Sequence, residues 1–239
     1  MIIADSRREP RALYIARMCG RYALHSSPEV IALAFGLSEV PATIVPRFNI
    51  APTTEVLIVR TRPDGARVPA VVRWGLVPRW AKDPKRATTL SNARGETVAE
   101  KPSFRDAYRR RRCLVPANGF FEWQRVESRK QPYYVHPAQG ELFAFAGLWE
   151  RWEGAGEPLE TCAIVTTAAN APMQAIHDRM PVILAPQDYA RWLGAAAGAD
   201  LEDLLRPCAP AAVRMHPVGT AVNRASNDTP ELIEPLEPA

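Results

Sequence analysis

The stretch from residue 113 to residue 167 most constrains the fold. Apolar and aromatic segments of strand length follow one another there, at 113–116, 120–124, 133–136, 143–149 and 162–167. Turn residues and charges separate them, and no helix-length periodicity intervenes. A parallel sheet needs a long crossover between strands, usually a helix. Strands arriving in runs therefore predict an α+β fold with a mostly antiparallel, curved sheet.

The flanking segments fit that reading. Residues 28–36 (PEVIALAFG) form a short amphipathic helix, with Ser27 placed to cap it, Pro28 at its first position and Gly36 at its stop. Residues 45–54 are bounded by prolines, which excludes a central strand. Residues 55–60 and 70–74 flank Pro63-Asp64-Gly65 as a hairpin. Residues 77–97 make a long polar loop with Trp80, Asn92 and Arg94, and long ordered loops tend to carry function. A basic helix is predicted over 104–112, another helix from Ala171, and a strand over 181–184. Helical segments at 187–193 and 201–205 surround an Ala/Gly-rich connection. The 239 residues suffice for one domain with a substantial core.

No apolar run approaches the length of a membrane span. Residues 1–17 carry charges throughout, so they lack the apolar core of a signal peptide. They are read as an upstream extension or as a propeptide. The four cysteines (Cys19, Cys113, Cys162, Cys208) show no CxxC spacing and are expected to be reduced thiols of a cytoplasmic protein. Neither they nor the histidines have the ligand spacing of a zinc site, so no metal and no cofactor is expected. The net charge is +4, with a basic body and acidic residues after Arg224. That distribution suits a polyanionic partner but does not require one. Disorder is the simpler account of the acidic end.

Met18-Cys19-Gly20-Arg21-Tyr22 contains the most informative position for function. If the mature chain begins at Cys19, a thiol and a free α-amine stand on adjacent carbons. An aldehyde condenses with the amine to an imine, and the thiol closes onto the imine carbon to give a thiazolidine. If Cys19 stays internal, its nitrogen is an amide and this chemistry is closed.

Glu122 lies in Phe120-Phe121-Glu122-Trp123. It is either an outward strand acid or a carboxylate pressed among aromatics, whose raised pKa would suit proton transfer. His177, in Ile176-His177-Asp178-Arg179, is either a surface histidine or an acid–base group. His25, His136 and His216 are read as structural or exposed. Asn49 is either a turn residue or a group that hydrogen-bonds the sugar or positions the N-terminus. Trp80, between Arg79 and Lys82, is either core or a stacking platform. Arg109 to Arg112 are either a solvated helix end or a nucleic-acid contact.

Seven ordered segments together resemble one family. They are MCGRY (18–22), PRFNIAPT (46–53), WGLVPRW (74–80), NARGET (92–97), RRCLVPANGFFEWQ (111–124), VTTAAN (165–170) and IHDRMPVIL (176–184). They resemble the SOS response-associated peptidase (SRAP) family, which includes the eukaryotic abasic-site shield proteins. The resemblance places the domain at 18–234, with 235–239 as a tail, and implies a barrel-like sheet flanked by short helices. It implies a protein that traps abasic sites in single-stranded DNA through Cys19 after loss of Met18, with lyase activity and possible self-processing. By the same resemblance, Glu122 and Asn92 lie at the cysteine, and His177 helps open the sugar. Arg21 and Arg94 would hold phosphates, and Trp80 would stack on a base. Thr166 would contact the sugar or a phosphate, and Asn49, Pro52, Phe104, Arg105 and Trp123 would line the DNA site. Many members have a second aromatic where this chain has Arg79, which implies more reliance on charge here.

Two other readings stay open at this level. Cys19, His177 and Asn92 superficially supply a cysteine peptidase's nucleophile, base and orienter. A basic domain could equally be a non-covalent single-stranded nucleic-acid binding module.

Overall fold

Capping, turn and strand signals organise the chain into two sheets around a shared core. A computed structural model describes residues 20–84, 90–154, 157–194 and 200–236. Residues 1–19, including Cys19 and the predicted extension, lie outside them. So do part of the 77–97 loop, the Ala/Gly-rich connection and the last three residues of the tail.

The elements in chain order are β1 (Tyr22–Leu24), α1 (Pro28–Phe35), β2 (Arg47–Ile50), β3 (Glu55–Thr61) and β4 (Arg67–Trp74). Next come β5 (Asn92–Arg94), α2 (Arg105–Arg110), β6 (Arg112–Ala117), β7 (Gly119–Val126) and β8 (Arg129–Pro137). The rest are β9 (Phe143–Trp152), β10 (Leu159–Ala168), α3 (Ala171–Gln174), β11 (Arg179–Pro181), β12 (Ile183–Leu184), α4 (Tyr189–Leu193) and β13 (Val213–Pro217).

One sheet has five strands in the order β13-β8-β7-β1-β2. The other has eight, and within it β4, β3, β6, β9 and β10 close into a barrel. Closure is made by β10, which pairs antiparallel with β9 and parallel with β4, so that Cys162 stands opposite both Trp149 and Trp74. This parallel join, and the β5–β10 pairing beside it, depart from the antiparallel pattern.

Helix α1 forms as its caps dictate. Ser27 Oγ accepts the Val30 N–H, and Gly36 takes the left-handed conformation (φ 65°) that ends the helix. Its Ile31 and Phe35 share a buried stripe. The prolines around β2 leave it a strand, but at the edge of its sheet, as proline demands. In β7 the alternation serves two cores. Phe120 faces the large core between the sheets, and Phe121 faces a second cluster with Ala23, Tyr134, Val218, Val222 and Leu232. Gly119 opens this strand because a Cβ there would lie 2.5 Å from the Tyr134 ring and Val135 O.

The acidic end is ordered, not loose. Residues Thr220–Asn223 and Pro230–Ile233 form short 3₁₀ turns. Val222 and Leu232 are buried in the second cluster, and Asp228 accepts the backbone N–H groups of Phe48 and Asn49 on β2. Hydrophobic anchors spaced among the acids outweigh the charge. The arginine run is likewise half structural. Arg112 donates to the carbonyls of Trp192, Tyr108, Arg109 and Gly194. Arg111 pairs with buried Glu150 at 2.7 Å. Arg109 and Arg110 are exposed.

Candidate functional site

Gly20, the first residue described after Cys19, leads straight into β1. The Phe121 N–H donates to Arg21 O at 3.0 Å, continuing the β1–β7 pairing of Tyr22 with Phe120 and Ala23 with Gly119. The residues that follow Cys19 are therefore stitched to the strand that carries Glu122. Glu122 is 2% exposed. It shares the face of Phe120, so it points between the sheets and is not an outward strand acid.

On the barrel side, β5 lies beside β10, with Asn92 opposite Ile164 and Arg94 opposite Thr166. Asn92 is half-buried and Arg94 exposed. After β10, Asn170 caps α3 by accepting the Met173 N–H at 3.2 Å. The chain then turns through His177 into β11, which pairs with the end of β10. His177 is fixed by its own N–H to Met173 O at 2.9 Å. Its Nδ1 accepts the Arg179 N–H at 3.1 Å in one tautomer of the ring and stands 3.4 Å from Arg179 O in the other. When the ring is charged, the same Nδ1 faces Asp178 Oδ1 at 3.2 Å. Asp178 and Arg179 thus fix the orientation of the imidazole at Nδ1.

Sequence reasoning passed over two neighbours. Arg179 forms a two-pronged ion pair with Glu96 and reaches Thr166 O at 2.9 Å and Oγ1 at 3.3 Å. The Arg179 hydrogen bonds hold Glu96 below the ordinary carboxylate range. The spacing of Arg179, two residues past His177, was the available signal.

Other expected ligands turn inward. Asn49 is 1% exposed. Its Nδ2 donates to the carbonyls of Val222, Arg224 and Asn227 at 3.2, 3.0 and 2.8 Å. Its Oδ1 accepts from Arg21 at 2.8 Å. Its amide is thereby committed to contacts within the protein, among them Arg21 near the start of β1. Arg21, half-buried, also donates to Val222 O at 2.8 Å, and burial lowers its pKa. Thr166 is wholly buried, its hydroxyl 3.4 Å from Ala93 O. Phe104 is 8% exposed and packs in the main core. Each is internal because its side chain satisfies a packing or hydrogen-bond demand of a distant segment.

The remaining candidates lie at the surface. Trp80 is 63% exposed, flanked by exposed Arg79 and Lys82. Its indole N–H reaches Pro102 O at 3.4 Å, which sets it beside exposed Lys101 and Arg105 at the start of α2. The indole thus stands exposed among four cationic side chains, Arg79, Lys82, Lys101 and Arg105. Trp123 is half-buried, with its N–H on Asn223 Oδ1 at 2.7 Å. Pro52 is half-buried in the turn between β2 and β3. Among the described residues, no three His, Cys, Asp or Glu side chains are placed to hold a metal ion. Cys113 and Cys162 are buried in the core. The described residues contain no helix long and apolar enough to cross a membrane.

Comparison with known proteins is consistent along the chain. The family model described as SOS response associated peptidase (SRAP) matches residues 18–225. The abasic site processing protein YoqW of Bacillus subtilis is 40% identical over 224 residues, covering 91% of this chain and 99% of that protein. The abasic site processing protein HMCES of Xenopus tropicalis is 37% identical over 191 residues, 69% of this chain and 56% of that protein. A crystal structure of a Bacteroides thetaiotaomicron protein superposes with a TM-score of 0.82 at 26% identity. That match covers 91% of this chain and 100% of that one.

Proposed function

This chain belongs to the SOS response-associated peptidase family, and from that premise we propose that it processes abasic sites in DNA by covalent capture through Cys19. One observation carries the reading furthest: the residues after Cys19 are paired to the strand that buries Glu122. An amine at position 19 and a carboxylate shielded from water would work within one strand pairing.

The chemistry requires that the mature chain begin at Cys19. The substrate is the ring-opened deoxyribose, which presents a C1 aldehyde. His177, as the imidazolium, passes its Nε2 proton to the ring oxygen as the hemiacetal's C1–O4′ bond breaks, and the C1 hydroxyl gives its proton to water to leave the aldehyde. Glu122 takes a proton from the α-ammonium, whose reference pKa of about 7.7–8.0 makes the neutral amine accessible. The amine adds to C1, and water leaves as the imine forms. The thiol sulfur then bonds to the imine carbon, and its proton passes to nitrogen, completing the thiazolidine. If the imine instead loses a C2 proton, the electron pair expels the 3′ phosphate, which is the lyase outcome. The strand is single-stranded in this reading, held by Trp80 and the cations around it and by Arg94 beside the site.

The test is a denaturing-gel crosslink assay on single-stranded DNA with one abasic site and an undamaged control. Protein beginning at Met18 and the full 239-residue form run in parallel, with intact mass reporting each N-terminus. A heat-stable, lesion-dependent adduct formed when Cys19 is terminal, and lost in Cys19→Ala with DNA binding retained, is the expected result. A stable adduct from Cys19→Ala, or none from protein shown to begin at Cys19, would overturn the capture mechanism. Release of residues 1–18 by the isolated protein would support self-processing.

A further inference from the structure

The Gln124 side chain makes a contact that nothing in the chemistry above uses. Its Nε2 donates to Ala175 O at 2.9 Å. Gln124 lies two residues after Glu122 on β7, so the two share a face of the strand. Ala175 is the C-cap of α3 and precedes His177 by two residues. One hydrogen bond thus joins the strand of the proposed base, in the five-stranded sheet, to the turn of the proposed acid, which links β10 to β11 of the eight-stranded sheet.

Helix α3 has need of such a tether. It has four residues, Ala171–Gln174, too short to hold its own shape. Its N-terminal end is fixed by the Asn170 cap, and Asn170 Nδ2 reaches Cys208 O at 3.3 Å. Its C-terminal end leaves carbonyls without intrahelical partners, and Ala175 O is the one that Gln124 satisfies. The backbone that Gln124 holds is the backbone that aims the imidazole, through His177 N–H to Met173 O and Arg179 N–H to Nδ1.

We propose that Gln124 is a positioning residue that sets His177 relative to Glu122 across the two sheets. The proposal rests on the capture chemistry above for its kinetic consequence but not for its structural one. A displacement of about 1 Å can slow a reaction by up to about a hundredfold, and loosening one of several tethers should give about a tenfold loss.

Two variants separate the donor from the side chain's bulk. Gln124→Glu keeps the shape but presents an acceptor to a carbonyl, and Gln124→Ala removes both. Each is expected to slow single-turnover crosslinking about tenfold, with affinity for intact single-stranded DNA changed less than about twofold. In a His177→Ala background, Gln124→Ala should have no further effect, because its action passes through the imidazole. An equal loss in that background, or an unchanged rate in the parent, would refute positioning, whatever happens to thermal stability. Imidazole NMR signals give an arm independent of activity. His177 resonances should shift in Gln124→Ala while those of His136 and His216 stay fixed, and unmoved His177 signals would overturn the proposal. Wild-type protein inert toward abasic DNA would defeat the functional reading while the NMR arm still decides Gln124.

Discussion

Arg21 and Asn49 are bound to each other at 2.8 Å, and both reach the carbonyl of Val222. Side chains from the start of the domain thereby grip a segment near its end. Asn223, in that segment, holds Trp123, and Asp228 holds the backbone of β2. The polar contacts of Arg21 and of β2 are thus largely contacts with the last part of the chain.

Asn49→Ala should therefore act on stability first. It strips one acceptor from Arg21 and leaves buried carbonyls without donors, each such loss costing about 1–3 kcal/mol. A destabilisation of about 3 kcal/mol in urea unfolding is expected. A loss under about 0.5 kcal/mol would show that water replaces the amide and that the clasp is weak.

Trp80→Ala should do the reverse. The indole is mostly exposed and packs on little, so unfolding should move by less than about 0.5 kcal/mol. Affinity for single-stranded DNA should fall by about 1–3 kcal/mol if a base stacks on the ring. Unchanged affinity in a fluorescence titration would remove Trp80 from the interface.

Within the arginine run, burial separates the roles. Arg112→Met should destabilise by about 3 kcal/mol or more, because the carbonyls at the ends of α2 and α4 lose a charged donor. Arg109→Ala and Arg110→Ala should change stability little and weaken the salt dependence of DNA binding if those side chains meet phosphate. Equal effects at positions 110 and 112 would contradict the assignment.

His136 gives stability a pH dependence of definite sign. Burial, with His216 and Arg214 nearby and Pro137 O opposing, lowers its pKa below the ordinary 6.5. The folded state then binds fewer protons than the unfolded one. The contribution is complete above pH 6.5, declines as pH falls below it, and levels off under the folded value. His25, also lowered by burial, adds in the same direction. His136→Gln should flatten the decline measured by urea unfolding between pH 7 and pH 5. A slope unchanged by that substitution would place the dependence elsewhere.

What could be read from the sequence was what is local. Ser27, Pro28 and Gly36 announce α1 because caps act within a few residues. The β3–β4 hairpin was legible from its turn for the same reason. Strand β1 was not, since three residues carry no period. The parallel join of β4 and β10 links residues nearly ninety positions apart and leaves no mark on either strand. The orientation of Glu122 was undecidable because Phe120 and Phe121 both have a core to enter. Asn49 read as a turn residue because its partners lie more than 170 positions away. Arg179 was hidden by its neighbour, a histidine with an obvious chemistry.

A ribosome makes the two halves of this clasp at opposite ends of synthesis. Cys19 emerges early, but the segment from Thr220 to Leu236 that Arg21 and Asn49 hold emerges last. Until it does, those two side chains lack the carbonyls they grip, and β2 lacks Asp228. Completion of the polypeptide is thus a condition on assembly of the region around Arg21 and Asn49. A chain terminated before Thr220 would carry those two side chains without the carbonyls that they bind.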